Sequence, residues 1–329
     1  MAVGGPNTGF KIIADRILTW GNQSTGNLGL GYMSDIIAVP WIAGTPTNNF
    51  AQMSISGDTT LAIGKDKNIY ASGVNSSYQF GISSANTNSF IQVTTDGSWK
   101  FITSGRYSSL AVKTNGTLWA TGTNSSGNLG LGDTTNRSSW TQVGSLSDWS
   151  VVYTDPVNNY ASYALKTDGT LWTWGEGGDG ALGDNSTSDK SSPVQTVAGG
   201  TNWREVASGC YYDHNFAIKT DGTLWGWGYN QNGELGCNDD SSRSSPIQTA
   251  AGGTNWESVS SGGLHTAAIK TNGTLWVWGS DSHGQLGKNT YQESVSSPVQ
   301  TVAGGTNWNS VACGERFMFA IKDNGTLWG

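Results

Sequence analysis

Residues 217–228 read AIKTDGTLWGWG, which is the pattern of two short strands joined by a tight turn. Two apolar runs of strand length, AIK and LWGWG, stand on either side of an Asp-Gly pair. Such a pair accepts the positive φ angles of a two-residue type I′ turn, which makes it the strongest short-range signal of a β-hairpin. The same hairpin recurs along the chain, with turn pairs Asn115–Gly116, Asp168–Gly169, Asp221–Gly222, Asn272–Gly273 and Asn324–Gly325. The stretch therefore predicts a hairpin that is one part of an internal repeat.

The repeat has a period of about fifty residues, a length typical of propellers and solenoids. The glycine that closes each LWxWG strand or its degenerate form stands at Gly21, Gly73, Gly122, Gly175, Gly228 and Gly279. A second phrase follows each of the later hairpins: SSPVQTVAGGTNW at 191–203, SSPIQTAAGGTNW at 244–256 and SSPVQTVAGGTNW at 296–308. Equivalent positions in a ring meet the same neighbours, which explains why one phrase is spelled three times.

Each unit contains four short strand patterns, which is the composition of a β-propeller blade. An opening strand such as WREVASG precedes the hairpin, and a final strand such as PVQTV follows a long loop. We therefore predict an all-β chain with an N-terminal arm over 1–9 and a single β-propeller of four-stranded antiparallel blades over 10–329. Seven blades are favoured and six remain the alternative, with the ring closed by N- and C-terminal strands so that no sheet edge stays free.

Tryptophans are predicted to form the core between blades, because each buried indole removes roughly 150–250 Å² from water. They recur at fixed positions of the hairpin and its degenerate copies: Trp20, Trp172, Trp174, Trp225, Trp227, Trp276, Trp278 and Trp328. The lysines before the turns are also repeated, and we expect them to be solvated: Lys113, Lys166, Lys219, Lys270 and Lys322.

Composition argues against several classes of protein. The net charge is −7 and no run of lysine and arginine occurs, whereas nucleic-acid binding needs a clustered positive surface. No apolar run approaches the ~20 residues of a membrane span, and the first residues lack the pattern of a secretory signal. The three cysteines, Cys210, Cys237 and Cys313, fit neither a disulfide framework nor a zinc site. We expect synthesis in a reducing cytosol.

The chain resembles the regulator of chromosome condensation repeat family, whose signature runs GTLWxWG, N..G.LG, P..V, W..V..G and A.K. Residues 222–236, GTLWGWGYNQNGELG, and 273–287, GTLWVWGSDSHGQLG, carry it here. The resemblance implies a propeller, usually of seven blades, and a role that differs widely among members. The founding role is nucleotide exchange on a small GTPase with chromatin docking, but this chain lacks a basic tail. Near-exact repetition is more common in bacterial and viral members, and we expect this chain to be one of them.

No catalytic constellation is present, so the chain is expected not to be an enzyme and to hold no cofactor or metal. With only His214, His265 and His283, a multi-histidine metal site is nearly excluded. His265 occupies a position where the family commonly has histidine, which indicates a structural role. His283 is expected to be exposed in a loop.

Binding residues are expected where the repeat is irregular, because residues that recur at the same position in every repeat are expected to serve packing. The segment 153–163, YTDPVNNYASY, replaces a tight turn, and 209–216, GCYYDHNF, is a second departure. The candidate binding residues are Tyr153, Asp155, Asn158, Tyr160, Tyr211, Tyr212, Asp213, His214 and Tyr229.

The leading functional hypothesis is a structural or recognition propeller in a phage virion, as capsid decoration or tail component, or on a bacterial surface. Low charge and abundant small polar residues favour a chain made in the cytosol and then exposed on a particle or surface. Its partners would be virion or surface subunits, copies of itself among them, with a host glycan as a further ligand and no nucleic acid. The alternatives are a soluble protein-binding propeller, acting as a GTPase exchange factor or an enzyme inhibitor, and a glycan-binding adhesin.

Overall fold

The computed structural model describes residues 2–4, 8–13, 16–23, 25, 28, 30, 34–42, 50–155, 157, 161–209, 212–289 and 293–329. Within these ranges, side chains are described for residues 25, 28 and 30 and from residue 50 onward. Among the described residues the only helical element is a 3-10 turn at Gly178–Gly180, and no helix has the length and apolar character that crossing a bilayer requires.

All other regular elements in the described ranges are strands. They are β1 (Ala2–Gly4), β2 (Thr8–Ile13), β3 (Arg16–Gln23), β4 (Ser34–Ile42), β5 (Phe50–Ser56), β6 (Thr59–Gly64), β7 (Ile69–Gly73), β8 (Thr87–Gln92), β9 (Trp99–Ser104), β10 (Ser108–Lys113), β11 (Leu118–Gly122), β12 (Arg137–Gln142), β13 (Trp149–Thr154), β14 (Ala161–Lys166), β15 (Leu171–Gly175), β16 (Lys190–Gln195), β17 (Trp203–Ser208), β18 (His214–Lys219), β19 (Leu224–Gly228), β20 (Arg243–Gln248), β21 (Trp256–Ser261), β22 (His265–Lys270), β23 (Leu275–Gly279), β24 (Val295–Gln300), β25 (Trp308–Cys313), β26 (Met318–Lys322) and β27 (Leu327–Trp328).

The strands form antiparallel sheets in which neighbours along the chain are neighbours in space. In the part of the chain that the structure describes, six sheets have four strands, β1–β4, β5–β8, β9–β12, β13–β16, β17–β20 and β21–β24, and a seventh, β25–β27, has three. The predicted all-β class and the four-stranded antiparallel sheets are thus confirmed. Within the predicted arm, β1 pairs with the start of β2. The chain divides into two compact units, Met1–Thr167 with Lys190–Pro193, and Asp168–Asp189 with Val194–Gly329.

The hairpin turn differs from the predicted type I′. Gly222 has a φ of 78°, but Asp221 is not among the residues with positive φ, whereas type I′ needs positive φ at both central residues. The Gly222 amide instead donates to the Lys219 carbonyl at 2.9 Å, as in a type I turn followed by a left-handed glycine. The Asp221 carboxylate closes the loop, because its Oδ1 accepts from the Thr223 amide at 3.0 Å and from the Thr223 hydroxyl at 2.7 Å.

The two indoles of a third strand have different environments. Trp174, Trp227 and Trp278 are fully buried, as the core prediction requires. Trp172, Trp225 and Trp276 are only half-buried, and each donates its indole N–H to a threonine hydroxyl two residues earlier at 2.8–2.9 Å. Trp328 departs from the predicted core role, since 46% of its surface is exposed. The side chain of Trp20 lies outside the described residues.

The buried indole sits in a space that we call the aromatic seat, above the last glycine of the G-x-L-G loop in the preceding repeat. Trp278 lies over Gly236, where an added Cβ would come within 2.9 Å of the ring. Its Nε1 donates to the Glu234 carbonyl at 2.6 Å. Trp227 lies over Gly183 in the same way and donates to the Ala181 carbonyl at 2.8 Å. Glycine is favoured at both positions because an added Cβ would lie only 2.9–3.1 Å from the ring and because the backbone φ is 62°.

The repeated lysines are not simply solvated, as the sequence suggested. The Lys219 ammonium lies 4.5 Å from the ring centre of Trp203 and 4.5 Å from that of Trp225. Lys270 stands in the same relation to Trp256 and Trp276. Each such cation–π contact is worth about 0.5–2 kcal/mol. These lysines therefore hold the first indole of the third strand against the tryptophan that opens the sheet.

Candidate functional site

Two loops of the second unit bring a tyrosine each to the same end of the sheet β17–β20. Successive antiparallel strands run in opposite directions, so β17 and β19 terminate at the same end of the sheet. The pairing of His214, the first residue of β18, with Gly228, the last residue of β19, defines this end. Tyr212, in the loop after β17, and Tyr229, directly after β19, are thereby brought together although they are far apart in the sequence.

Tyr212 and Tyr229 form a stacked pair with ring centres 4.8 Å apart and an interplanar angle of 23°. Tyr212 is 41% exposed, so one ring of the pair faces solvent. The pKa of Tyr229 is raised, first by burial and then by the negative charges of Glu234, Tyr212 in its ionised form, and Asp179. Two carboxylates, those of Glu234 and Asp179, therefore act on the tyrosine pair.

A hollow of about 200 Å³ adjoins Tyr212 and is lined by Tyr212, Leu264, His283, Gln285, Glu315 and Arg316. Arg316 lies in the loop after β25, with its Nε 3.2 Å from a Glu315 carboxylate oxygen and its Nη1 3.5 Å from His283 Nε2. His283 Nδ1 is 2.9 Å from the Ser282 hydroxyl. The arginine charge is thus compensated by Glu315, and the hollow presents hydrogen-bonding groups beside an aromatic ring.

His214 is placed differently from the binding role that the sequence suggested. It is fully buried, with Nδ1 3.3 Å from the Tyr212 carbonyl and Nε2 3.4 Å from the His265 carbonyl. Its pKa is lowered, mainly by burial. The ring lies against Gly209, where a Cβ would overlap it. His214 therefore supports the loop that carries Tyr212 and does not itself reach a ligand.

The other candidate residues are distributed as follows. Asp213 is half-buried, and its carbonyl accepts from Asn215 Nδ2 at 2.9 Å. In the first unit Tyr153 belongs to strand β13 and contacts Phe101, with ring centres 6.4 Å apart. Asp155 is fully buried and accepts the Val157 amide at 2.8 Å, so it closes its own loop rather than facing a ligand. Asn158, Tyr160 and Tyr211 lie outside the described residues.

Neither of the two described thiols is activated, and the described metal-binding side-chain types are scattered. In the described ranges no group of three or more His, Cys, Asp or Glu side chains is arranged to hold a metal ion. Burial raises the pKa of the Cys313 thiol to about 12. Burial, followed by the charge of Asp239, also raises the pKa of Cys237. Both thiols are therefore protonated and poorly nucleophilic at neutral pH.

Sequence reasoning missed His283, Gln285, Glu315 and Arg316 as neighbours of Tyr212. Their repeat units follow the common pattern, so irregularity did not mark them. Their positions in the repeat could have identified them. Each residue follows a first or a third strand, and these strands terminate at the same end of the sheet.

The repeat is recognised in known proteins. Residues 168–218, 221–269 and 272–321 each match the Regulator of chromosome condensation (RCC1) repeat. The Ultraviolet-B receptor UVR8 of Arabidopsis thaliana is 30% identical over 229 residues, which is 69% of this chain and 52% of the receptor. The Probable E3 ubiquitin-protein ligase HERC3 of Homo sapiens is 30% identical over 172 residues, 51% of this chain but only 16% of the ligase. The chain thus spans about half of the receptor and a smaller share of the ligase.

Solved structures agree with the sequence matches. Human WBSCR16 superposes with a TM-score of 0.79 at 21% identity, covering 98% of this chain and 86% of that one. Prp20p from Saccharomyces cerevisiae superposes with a TM-score of 0.81 at 18% identity, covering 98% of this chain and 82% of the yeast chain. At these identities the likeness shows a common fold. The repeat is matched three times in succession and the superposed structures share the fold, so residues 168–321 consist of regulator of chromosome condensation repeats.

Proposed function

We propose that this chain is a non-enzymatic protein-recognition propeller that binds a basic segment of a partner protein through the stacked Tyr212 and Tyr229. The carrying observation is the solvent-exposed ring of Tyr212, which stacks on Tyr229 and borders a hollow that the Glu315 carboxylate also lines. A cation over an aromatic face is worth about 0.5–2 kcal/mol, and negative neighbours add to its attraction. The net charge of −7 favours the approach of a basic partner.

The relatives support protein recognition in preference to a virion or adhesive role. The structure of Prp20p is described together with its binding to Gsp1p and histones, and UVR8 is named as a receptor. None of the relatives named above is described as a particle component or an adhesin, so the leading expectation from composition is replaced by its alternative of a protein-binding propeller. HERC3 is named as a probable ligase, but its match covers only a small part of that protein.

The arrangement of the sheets is part of the proposal. We infer that the seven successive sheets are blades of a single propeller spanning residues 10–329, closed by N- and C-terminal strands, with residues 1–9 as an N-terminal arm. Support comes from the order of the sheets along the chain and from the likeness to propeller structures.

The recognition proposal is tested with the double variant Y212A/Y229A. Affinity purification with quantitative mass spectrometry is expected to recover at least one partner with the wild-type chain, depleted about tenfold with the double variant. This factor corresponds to about 1.4 kcal/mol of lost binding free energy. Val197 is 51% exposed and follows the fourth strand β16, which terminates at the opposite end of the sheet. V197S therefore serves as the control and is expected to recover the partner fully. Equal recovery by all three proteins would remove this surface from the proposal.

A further inference from the structure

The repeated lysines differ in whether a carboxylate contacts the ammonium group. In the first unit Lys113 Nζ lies 2.6 Å from a carboxylate oxygen of Asp96, and Lys166 Nζ lies 3.3 Å from one of Asp148. Both aspartate side chains are 43% exposed, so each carboxylate approaches its lysine from the solvent side. Asp96 stands three residues before the tryptophan that opens its sheet, and Asp148 stands directly before it. A carboxylate can therefore reach the same ammonium position from two different points of the backbone.

Lys270 occupies the same position without a carboxylate. Its Nζ lies 4.5 Å from the ring centres of Trp256 and Trp276, and within the described ranges it has no hydrogen-bond or ion-pair partner. The loop before β21, AAGGTN at 250–255, contains no acidic residue. Burial alone lowers the pKa of Lys270, as expected for an ammonium group without an opposite charge beside it.

A neutral amide replaces the carboxylate at a matching point of the backbone. Asn255 directly precedes the opening tryptophan, as Asp148 does in the earlier repeat. The carbonyl of each accepts an amide at 2.8 Å from the threonine after the lysine, Thr271 for Asn255 and Thr167 for Asp148. The two side chains therefore start from equivalent backbone positions, and only the aspartate supplies a charge to its lysine.

Lys270 is also distinguished from Lys219, the equivalent lysine of the preceding sheet. The turn after Lys219 contains Asp221, whose carboxyl group interacts electrostatically with that lysine. The turn after Lys270 contains the neutral Asn272 instead. Lys270 is therefore the lysine of this pair that has no acidic residue in either neighbouring loop.

We propose that Lys270 is a binding site for an aspartate or glutamate side chain of an acidic protein segment. The partner's carboxylate takes the place that Asp96 and Asp148 fill in the earlier repeats. Because Trp256 and Trp276 already hold the ammonium group, little side-chain entropy remains to be lost when the carboxylate binds. The ion pair forms at the surface, so its strength falls as the salt concentration rises.

The site is separate from the recognition surface proposed above. The hollow beside Tyr212 is lined by Gly263 and Leu264, which precede β22, whereas Lys270 is the last residue of that strand. The two sites therefore lie at opposite ends of the sheet β21–β24, and they take partner groups of opposite charge.

The test measures binding of fluorescein-labelled hexaglutamate to the whole chain by fluorescence anisotropy at low ionic strength. N255D supplies a carboxylate at the position of Asp148, and K270Q removes the charge. Each is expected to weaken binding about threefold or more, the scale of one exposed ion pair. K270R keeps the charge and is expected to bind as the wild type does. Q231E adds one negative charge in the exposed loop after β19, at the Tyr212 end of its sheet, and is expected to leave binding unchanged.

The ligand control is hexaglutamine, which has no side-chain carboxylate and is expected not to bind measurably. Y212A/Y229A is expected to bind hexaglutamate as the wild type does, so loss of the tyrosine surface and loss of this site are distinguishable. No binding to the wild type, unchanged binding by N255D or K270Q, or an equal loss in Q231E overturns the proposal. Hexathymidylate that binds at least as tightly as hexaglutamate, with the same loss in K270Q, would assign the ammonium group to phosphates and likewise overturn it.

Discussion

Replacing Trp278 by alanine is expected to lower the free energy of unfolding by about 3–5 kcal/mol, the range for deleting a large buried aromatic side chain. The indole is fully buried, lies over Gly236 and contacts Trp256 and Phe216 with ring centres 6.1 and 5.7 Å away. The substitution also removes the donor to the Glu234 carbonyl. Urea unfolding followed by circular dichroism measures the loss.

The control for W278A is W328A. Trp278 is the second indole of its hairpin, GTLWVWG, and lies in the aromatic seat. Trp328 is the first indole of the last hairpin, GTLWG, lies outside a seat and is 46% exposed. Since a half-exposed ring buries less area, W328A is expected to cost no more than about 1 kcal/mol. Comparable losses in the two variants would show that the indoles are not distinguished by the seat.

Acidification is expected to destabilise the fold through His265. Burial, then the neighbouring His214, lowers the pKa of His265 from 6.5 to about 3. A histidine whose pKa is lowered in the folded state binds protons preferentially in the unfolded state, so stability is lost as the pH falls below 6.5 towards 3. Between pH 7 and pH 5 the loss from this residue is about 2 kcal/mol. Unfolding curves at the two pH values measure it.

Phenylalanine is the matched replacement for His265. Phe317 holds the equivalent position in the next repeat, and its ring lies against Gly314 as that of His265 lies against Gly262. H265F therefore keeps a ring in place and removes the titration, and its loss of stability between pH 7 and pH 5 should be smaller than that of the wild type by about 2 kcal/mol. Identical pH dependence in H265F and the wild type would contradict the assignment.

Sequence patterns predicted the features that depend on periodicity. The strands, their antiparallel order and the burial of Trp174, Trp227 and Trp278 follow from a repeated hairpin with indoles at alternate positions. The turn type did not follow, because Asn-Gly and Asp-Gly pairs suit more than one loop length. The length of the loop is set by the pairing of Ile218 with Leu224 across the hairpin. The Asp-Gly dipeptide alone does not encode that pairing.

Features built from separate strands or repeats were not predictable from local patterns. The lysines appeared solvated because the indoles on either side come from two strands, as Trp203 and Trp225 do around Lys219. The hollow beside Tyr212 brings together loops of three repeats, so Arg316 and His283 become its neighbours only through sheet packing. The irregular loop 209–216 identified Tyr212 as a candidate. The burial of His214 and Asp155 was not predictable, because it depends on the contact of the His214 ring with Gly209 and on the hydrogen bond from the Val157 amide to Asp155.

If the ring in the aromatic seat determines how the sheets pack, a tryptophan supplied from another strand of the same repeat should restore the lost stability. W278T/P298W places threonine and tryptophan where the sheet β9–β12 has Thr121 and Trp140, and Trp140 there lies over Gly81. The single variant W278T is expected to lose about 3–5 kcal/mol of unfolding free energy, and the double variant to regain at least half of that loss in a double-mutant cycle. A double variant no more stable than W278T would contradict the account.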